Sequence, residues 1–229
     1  MGMKKIVVAI DGFSGCGKSS TARQVASRLG YTYIDSGAMY RAATLHFLNQ
    51  FTVLTNPKEI QKALDTMEIS FHHNEDTGKQ ETYLNGLNVE KKIRSMEVSE
   101  RVSDISKIRE VRLELVAQQR RLGRHKGVVM DGRDIGTVVF PDAELKVFMI
   151  ADIHIRAERR QKELLEKGEL VELKKIVENL STRDRIDSSR AESPLTKAGD
   201  AVEIDTSLLD FEEQVQRITD IAEQKIAKN

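Results

Sequence analysis

The chain has 229 residues, 39% hydrophobic and 31% charged, which is enough to bury a sizeable core and excludes a disordered chain. Its 36 lysines and arginines balance 36 aspartates and glutamates, excluding a uniformly basic surface for nucleic acid or membranes. A single cysteine, Cys16, excludes an internal disulfide and a thiolate metal cluster. In chain order, residues 6–10 form a largely β-branched run ending at Asp11-Gly12, as a buried parallel strand does and a secretory leader does not. Residues 18–29 carry Ala22, Val25, Ala26 and Leu29 at helical spacing before Gly30. Residues 31–34 read as a strand closed by Asp35-Ser36-Gly37, and 38–48 as a helix. This alternation predicts an α/β fold built on a parallel sheet.

After Pro57 a helix is expected to residue 67, and then the rhythm breaks. Residues 69–71 and 81–84 read as short strands flanking the turn-rich Asn74-Glu75-Asp76-Thr77-Gly78, and Asn85-Gly86 is a second hairpin signal. The antiparallel segment 65–93 is therefore expected as an insertion in a core of residues 1–64 and 94–229. Helical sequence resumes over 95–122, and strands are expected at 128–130 and 145–150. Residues 152–190 are mostly helical and heavily charged, 202–204 form a last strand, and 211–226 a terminal amphipathic helix. No repeat or low-complexity linker divides the chain, so one domain over 1–229 is expected. No apolar run approaches the roughly 18 residues of a membrane span, and a cytoplasmic protein is expected. His72 and His73 would point to opposite faces of a strand, so they are not expected to hold a metal.

Gly12-Phe13-Ser14-Gly15-Cys16-Gly17-Lys18-Ser19 matches G-x-x-x-x-G-K-[ST] in full, between a strand and a helix. Glycines let successive amides turn inward onto phosphate oxygens, and the helix N-terminus adds its dipole. Lys18 is expected at the β/γ-phosphates, and a hydroxyl beyond it on Mg²⁺. Ser19 and Ser20 both offer that hydroxyl. Cys16 is expected to be a small filler, because phosphoryl transfer needs no covalent nucleophile.

Asp35-Ser36-Gly37-Ala38-Met39-Tyr40-Arg41 and Asp131-Gly132-Arg133-Asp134-Ile135-Gly136-Thr137 both leave the carboxyl ends of expected strands, where open parallel sheets bind ligands. In a third cluster, the apolar stripe Leu173, Ile176, Val177, Leu180 runs on into Asp184 and Asp187, flanked by Arg183 and Arg190. This is either an occupied polar cleft or a solvated helix end. Arg156, Arg159 and Arg160 lie about a helical turn apart. They serve either as mobile arginines that neutralise a transferring phosphoryl group or as solvated surface.

With these residues in hand, the chain resembles the bacterial cytidylate kinases of the nucleoside monophosphate kinase group. The carriers are Ile10 through Ser20, Asp35 to Arg41, Asp131-Gly132-Arg133-Asp134-Ile135-Gly136-Thr137-Val138-Val139-Phe140-Pro141-Asp142-Ala143, and Arg183-Asp184-Arg185-Ile186-Asp187 with Arg190. The resemblance implies a P-loop kinase fold with a central parallel sheet, an antiparallel insertion and a helical lid over about 153–190. It implies transfer of the γ-phosphoryl of ATP to CMP or dCMP with Mg²⁺. On it, Gly12 to Ser20 bind ATP, while Ser103, Arg112 and Asp134 read the cytosine edge. Asp187 with Arg183 holds the ribose. Ser36, Arg41, Arg133 and Arg190 contact the acceptor phosphate or the adjoining sugar. Lys18, Arg133, Arg156 and Arg159 carry the catalysis, the last two from the lid. Many relatives have Gly-Lys-Gly-Thr where this chain has Gly17-Lys18-Ser19-Ser20, which leaves the Mg²⁺ hydroxyl open between the two serines. A monomer acting on two small molecules is expected, without nucleic acid or membrane.

The nearest alternatives are P-loop kinases for UMP, AMP or dephospho-coenzyme A. A nucleotide-dependent switch is a more distant one, without the Asn-Lys-x-Asp pattern that reads guanine. RNA binding is weakest, with 5% aromatics for stacking.

Overall fold

A computed structural model describes residues 4–75, 79–166 and 168–228. The chain begins with β1 (Val7–Gly12), α1 (Lys18–Leu29) and β2 (Thr32–Asp35). It then passes through α2 (Ser36–Asn49), α3 (Pro57–Asp65), β3 (Ile69–Asn74), β4 (Lys79–Leu84), β5 (Leu87–Asn88), α4 (Met96–Ile105) and α5 (Arg109–Leu122). Next come β6 (Val128–Gly132), a π-helical turn at Ile135–Val139, β7 (Leu145–Ile150), α6 (Ile153–Glu166), α7 (Leu173–Ser189), β8 (Val202–Asp205) and α8 (Phe211–Lys228). Two compact units result: Met1–Ile34 with Gly123–Asn229, and Asp35–Leu122. Helices α2 to α5 belong to the same compact unit as the small sheet.

In the first unit, five strands among the described residues form a sheet in the order β2-β6-β1-β7-β8. β1 is parallel to β6 on one side and to β7 on the other, so Asp11 stands opposite Gly132 and Phe148. Alternation along β1 sends Val8 and Ile10 into one core layer, together with Ile6 just before it. There they meet Ala22, Val25 and Ala26 of α1 and Val215, Ile218 and Ala222 of α8. Burying each large aliphatic side chain contributes about 1.5–3 kcal/mol, which makes this layer the main anchor of the sheet. Ala9 and Asp11 face the other way. α6 and α7 share a small core of Ala157, Leu164, Ile176 and Leu180, so the apolar stripe of α7 is used.

In the second unit, Asp35 caps α2 by accepting the Ala38 N–H at 2.8 Å, and Asn56 caps α3 ahead of Pro57. β3, β4 and β5 form the antiparallel sheet. Asn85 (φ 49°) and Gly86 (φ 78°) turn β4 into β5 with two left-handed residues, as the tight hairpin demands. Residues 76–78 of the turn-rich segment lie outside the described residues. The helix expected over 95–122 is two helices. Ser95 caps α4 through the Val98 N–H, and Ser106 bends its hydroxyl back to the Ser103 carbonyl at 3.0 Å where α4 ends. No helix among the described residues is long and apolar enough to cross a membrane.

Candidate active site

The phosphate loop leaves β1 at Gly12 and enters α1 at Lys18. Gly12 (φ 144°) passes so close to β7 that a Cβ would lie 2.0 Å from the Met149 carbonyl oxygen, and only glycine fits. Lys18 is 5% exposed, and its Nζ donates to the Phe13 carbonyl at 2.5 Å. Burial, and then the charge of Arg133, pull its pKa down to about 8. Phe13 packs edge-on against Phe148 and lies beneath the Arg156 guanidinium. Cys16 is buried in the main core layer, where a small apolar side chain belongs.

Ser19 and Ser20 part company. Ser19 Oγ donates to Asp131 Oδ2 at 2.8 Å, whereas Ser20 is exposed. The other oxygen of Asp131 accepts the Tyr33 hydroxyl at 2.8 Å. A hydroxyl and a carboxylate oxygen side by side at the end of a phosphate loop fit Mg²⁺, a hard cation that takes one or two protein oxygens and fills its shell with phosphate and water. No group of three or more His, Cys, Asp or Glu suited to a metal occurs among the described residues. His72 is hydrogen-bonded to Ser70 and packed on Tyr83.

The cluster that ends β6 and the charged end of α7, far apart in sequence, come together. Arg133 Nε donates to Asp187 Oδ2 at 2.7 Å, and Arg190 lies 3.8 Å from Asp134. Burial alone would lower the Arg133 pKa, but the charge and hydrogen bond of Asp187 outweigh it and raise the value. Asp187 is held low despite its burial, by Arg133 first and then by Arg190 and Arg183. Arg183 is lowered to about 10 by burial and the repulsion of Arg133. The stripe of α7 therefore does run into paired charges rather than into a frayed, solvated end.

Arg156 is buried and spoken for. It donates to the Ala151 carbonyl at 3.0 Å, to the Ser14 carbonyl of the phosphate loop at 3.0 Å, and to Asp184 at 2.7 Å. Arg159 grips Thr206 through its carbonyl (2.6 Å) and hydroxyl (3.3 Å). Arg160, grouped with them in the sequence, makes a surface pair with Glu163.

In the second unit, Ser36 is buried in the first turn of α2. Arg41 donates to Ser99 Oγ at 2.8 Å and to the Ile93 carbonyl at 3.4 Å. Arg112 is buried, sits over the Tyr40 ring and donates to the Ser106 carbonyl at 3.4 Å. Ser106 in turn bonds Ser103, so Arg112 and Ser103 share one neighbour.

Residues 8–224 match the family model described as cytidylate kinase. The chain belongs to the cytidylate kinase family. A protein of Cytophaga hutchinsonii with that name is 57% identical over 220 residues, covering 96% of this chain and 94% of the relative. Another from Bacteroides fragilis is 52% identical over 217 residues, with 93% and 94% covered. A third from Flavobacterium psychrophilum is 49% identical over 222 residues, with 96% and 98% covered.

In this member of the family, the structure also reveals supports that the sequence alone does not single out. Asp11 accepts two backbone amides, from Ile135 at 2.8 Å and Gly136 at 2.7 Å. Arg94 bridges Asp35 (3.0 Å) and Glu90 (2.9 Å), tying the start of α2 to the end of the small sheet. Its own burial notwithstanding, those carboxylates raise its pKa. Thr206 is fully buried and donates toward the Cys16 and Ile150 carbonyls. Only Asp11 had a visible signal, a carboxylate closing an apolar strand.

Proposed function

We propose that this protein transfers the γ-phosphoryl group of ATP to CMP and dCMP, giving ADP with CDP or dCDP. The observation that carries the proposal is the phosphate loop joined through β1 and β6 to the Arg133–Asp187 and Arg190–Asp134 pairs, in a chain of the cytidylate kinase family.

Residues Gly12 to Ser20 cradle the triphosphate, with Lys18 released from Phe13 to the β/γ-phosphates. Ser19 and Asp131 would hold Mg²⁺, which would supply charge neutralisation on the phosphate oxygens. On the acceptor side Ser36, Arg41, Arg133 and Arg190 bind the phosphate and adjoining sugar. Asp187 with Arg183 holds the ribose, and Ser103, Arg112 and Asp134 read the cytosine edge. An acceptor phosphate oxygen attacks the γ-phosphorus in line while the bond to the β–γ bridging oxygen breaks and ADP departs. The attacking oxygen is already anionic, so positioning and charge neutralisation by Lys18, Arg133, Arg156 and Arg159 suffice without a general base. Helices α6 and α7 act as the lid that excludes water and protects ATP from hydrolysis. In this reading the enzyme acts as a monomer on small-molecule substrates, without nucleic acid. A cytoplasmic site of action fits substrates of this kind.

The test is a coupled ADP-release assay with CMP, dCMP, UMP and AMP. Expected kcat/KM values for CMP and dCMP exceed those for UMP and AMP by at least about tenfold. Preference for AMP or UMP would reassign the acceptor, and ATP hydrolysis indifferent to any acceptor would point to a switch.

A further inference from the structure

Two backbone amides at the start of the turn that follows β6 are capped by a side chain from another strand. Asp11 is 4% exposed at the end of β1, and its two oxygens accept the Ile135 and Gly136 N–H groups at 2.8 and 2.7 Å. The leading N–H groups of a helical turn find no carbonyl within that turn. Asp134, which precedes this one, provides no side-chain cap; its carbonyl is engaged instead by Val138 and Val139.

The donor side of this contact has little room to move. A Cβ on Gly136 would lie 3.2 Å from the Lys146 stem and 3.4 Å from Asp11 Oδ2. The acceptor side is equally fixed, since Asp11 is paired in register with Gly132 and Phe148 and is followed by the close-packed Gly12. The residues immediately before the capped amides are Arg133 and Asp134, whose side chains meet Asp187 and Arg190.

We propose that Asp11 is a positioning residue for the acceptor: its carboxylate fixes the backbone from which Arg133 and Asp134 project, and so ties acceptor recognition to the strand that carries the ATP loop. The proposal rests on the acceptor role given above to Arg133 and Asp134. A carboxylate suits this task better than a neutral side chain, because both of its oxygens accept and charge-assisted bonds are stronger. An asparagine offers one acceptor oxygen and turns an NH₂ toward the second amide.

Protonation has the same consequence. Burial raises Asp11 to about 6 against the pull of the Gly136 and Ile135 amides; Asp134 adds to the rise and Lys18 opposes it. Lys146, whose stem also packs here, has its ammonium on Asp200, and the β6 and β7 partners Gly132 and Phe148 carry no charge. At neutral pH the carboxylate accepts both bonds, and below its pKa one oxygen becomes a donor facing an N–H.

The test compares wild type, Asp11→Asn and Arg133→Ala. Asp11→Asn should lower kcat/KM for CMP on the order of 10- to 100-fold, as misplacement of binding groups does. Its equilibrium Kd for a non-hydrolysable ATP analogue should stay within about threefold, because no atom of the ATP loop is removed. Unchanged CMP kinetics, or equal losses of ATP and CMP affinity, would overturn the proposal. Arg133→Ala separates the two readings: if it keeps full CMP turnover, the acceptor assignment fails irrespective of Asp11. A second readout needs no variant. In wild type the Ile135 and Gly136 amide proton shifts should titrate together with the Asp11 carboxyl carbon, with a midpoint near 6. Amides indifferent to that titration would overturn the cap.

Discussion

Ser19 Oγ and Asp131 Oδ2 stand 2.8 Å apart, joining the first turn of α1 to the end of β6. The motif leaves two adjacent hydroxyls as equals, and this contact distinguishes them, because helical geometry turns neighbouring side chains about 100° apart. One then meets a carboxylate while the other meets solvent. Ser19→Ala should lower kcat by about 100-fold and raise the Mg²⁺ concentration for half-maximal activity, as loss of one charge-stabilising contact does in related chemistry. Ser20→Ala should stay within about twofold, as exposed substitutions commonly do. A Mg²⁺ titration of both variants decides; the reverse pattern would move the metal to Ser20.

Arg156 binds the phosphate loop and Asp184 together. Truncating one partner of a buried ion pair leaves the other unpaired and costs about 3 kcal/mol. Arg156→Ala should therefore lower the melting temperature and raise the KM for ATP, since the Ser14 carbonyl loses its anchor. Arg156→Lys should restore charge but not the three-way grip, and recover only part of both. Thermal unfolding with parallel ATP kinetics measures this; a variant with native stability would show that the contacts contribute little.

Lys18, at about 8, is mostly neutral at pH 9, and triphosphate beside it favours the ammonium form. ATP binding at pH 9 should take up close to one proton, and binding at pH 7 none at this site. Calorimetry in buffers of different ionisation enthalpy reads the proton directly, and Lys18→Met should abolish the uptake. For the free protein, the unfolded chain binds the extra proton between about 8 and the ordinary 10.5, so stability from this group rises with pH across that window. Uptake equal at both pH values would refute the assignment to Lys18.

Local features were the legible ones. The strand before Gly12, the phosphate loop and the Asn85-Gly86 hairpin each depend on residues a few positions apart, so their chemistry shows in the sequence. That α2 packs in one unit with the small sheet was hidden, because its apolar face does not say which elements it packs on. The break between α4 and α5 turns on Ser106, a residue equally at home in a helix or bonding its backbone. Among the site residues, the end of α7 was flagged by carboxylates on an apolar stripe, whereas its partners Arg133 and Asp134 were flagged separately. Only the fold joined them. Arg156 and Arg159 could be placed on a helix, but their attachment to Ser14, Asp184 and Thr206 depends on tertiary contacts that no local pattern encodes.

The position of β1 also has a consequence for the order of assembly. It is made well before its two neighbours, β6 and β7, and α1 packs against α8. Gln214 of α8 bonds Thr21 in the turn that follows the phosphate loop, within 3.4 Å of where a Cβ on Gly17 would sit. Residues 35–122, by contrast, form a contiguous unit whose strand pairings among the described residues are internal. During synthesis that unit can close while β1 still waits for partners, since domains generally fold as units. A nascent chain thus holds no finished ATP site until α8 has emerged.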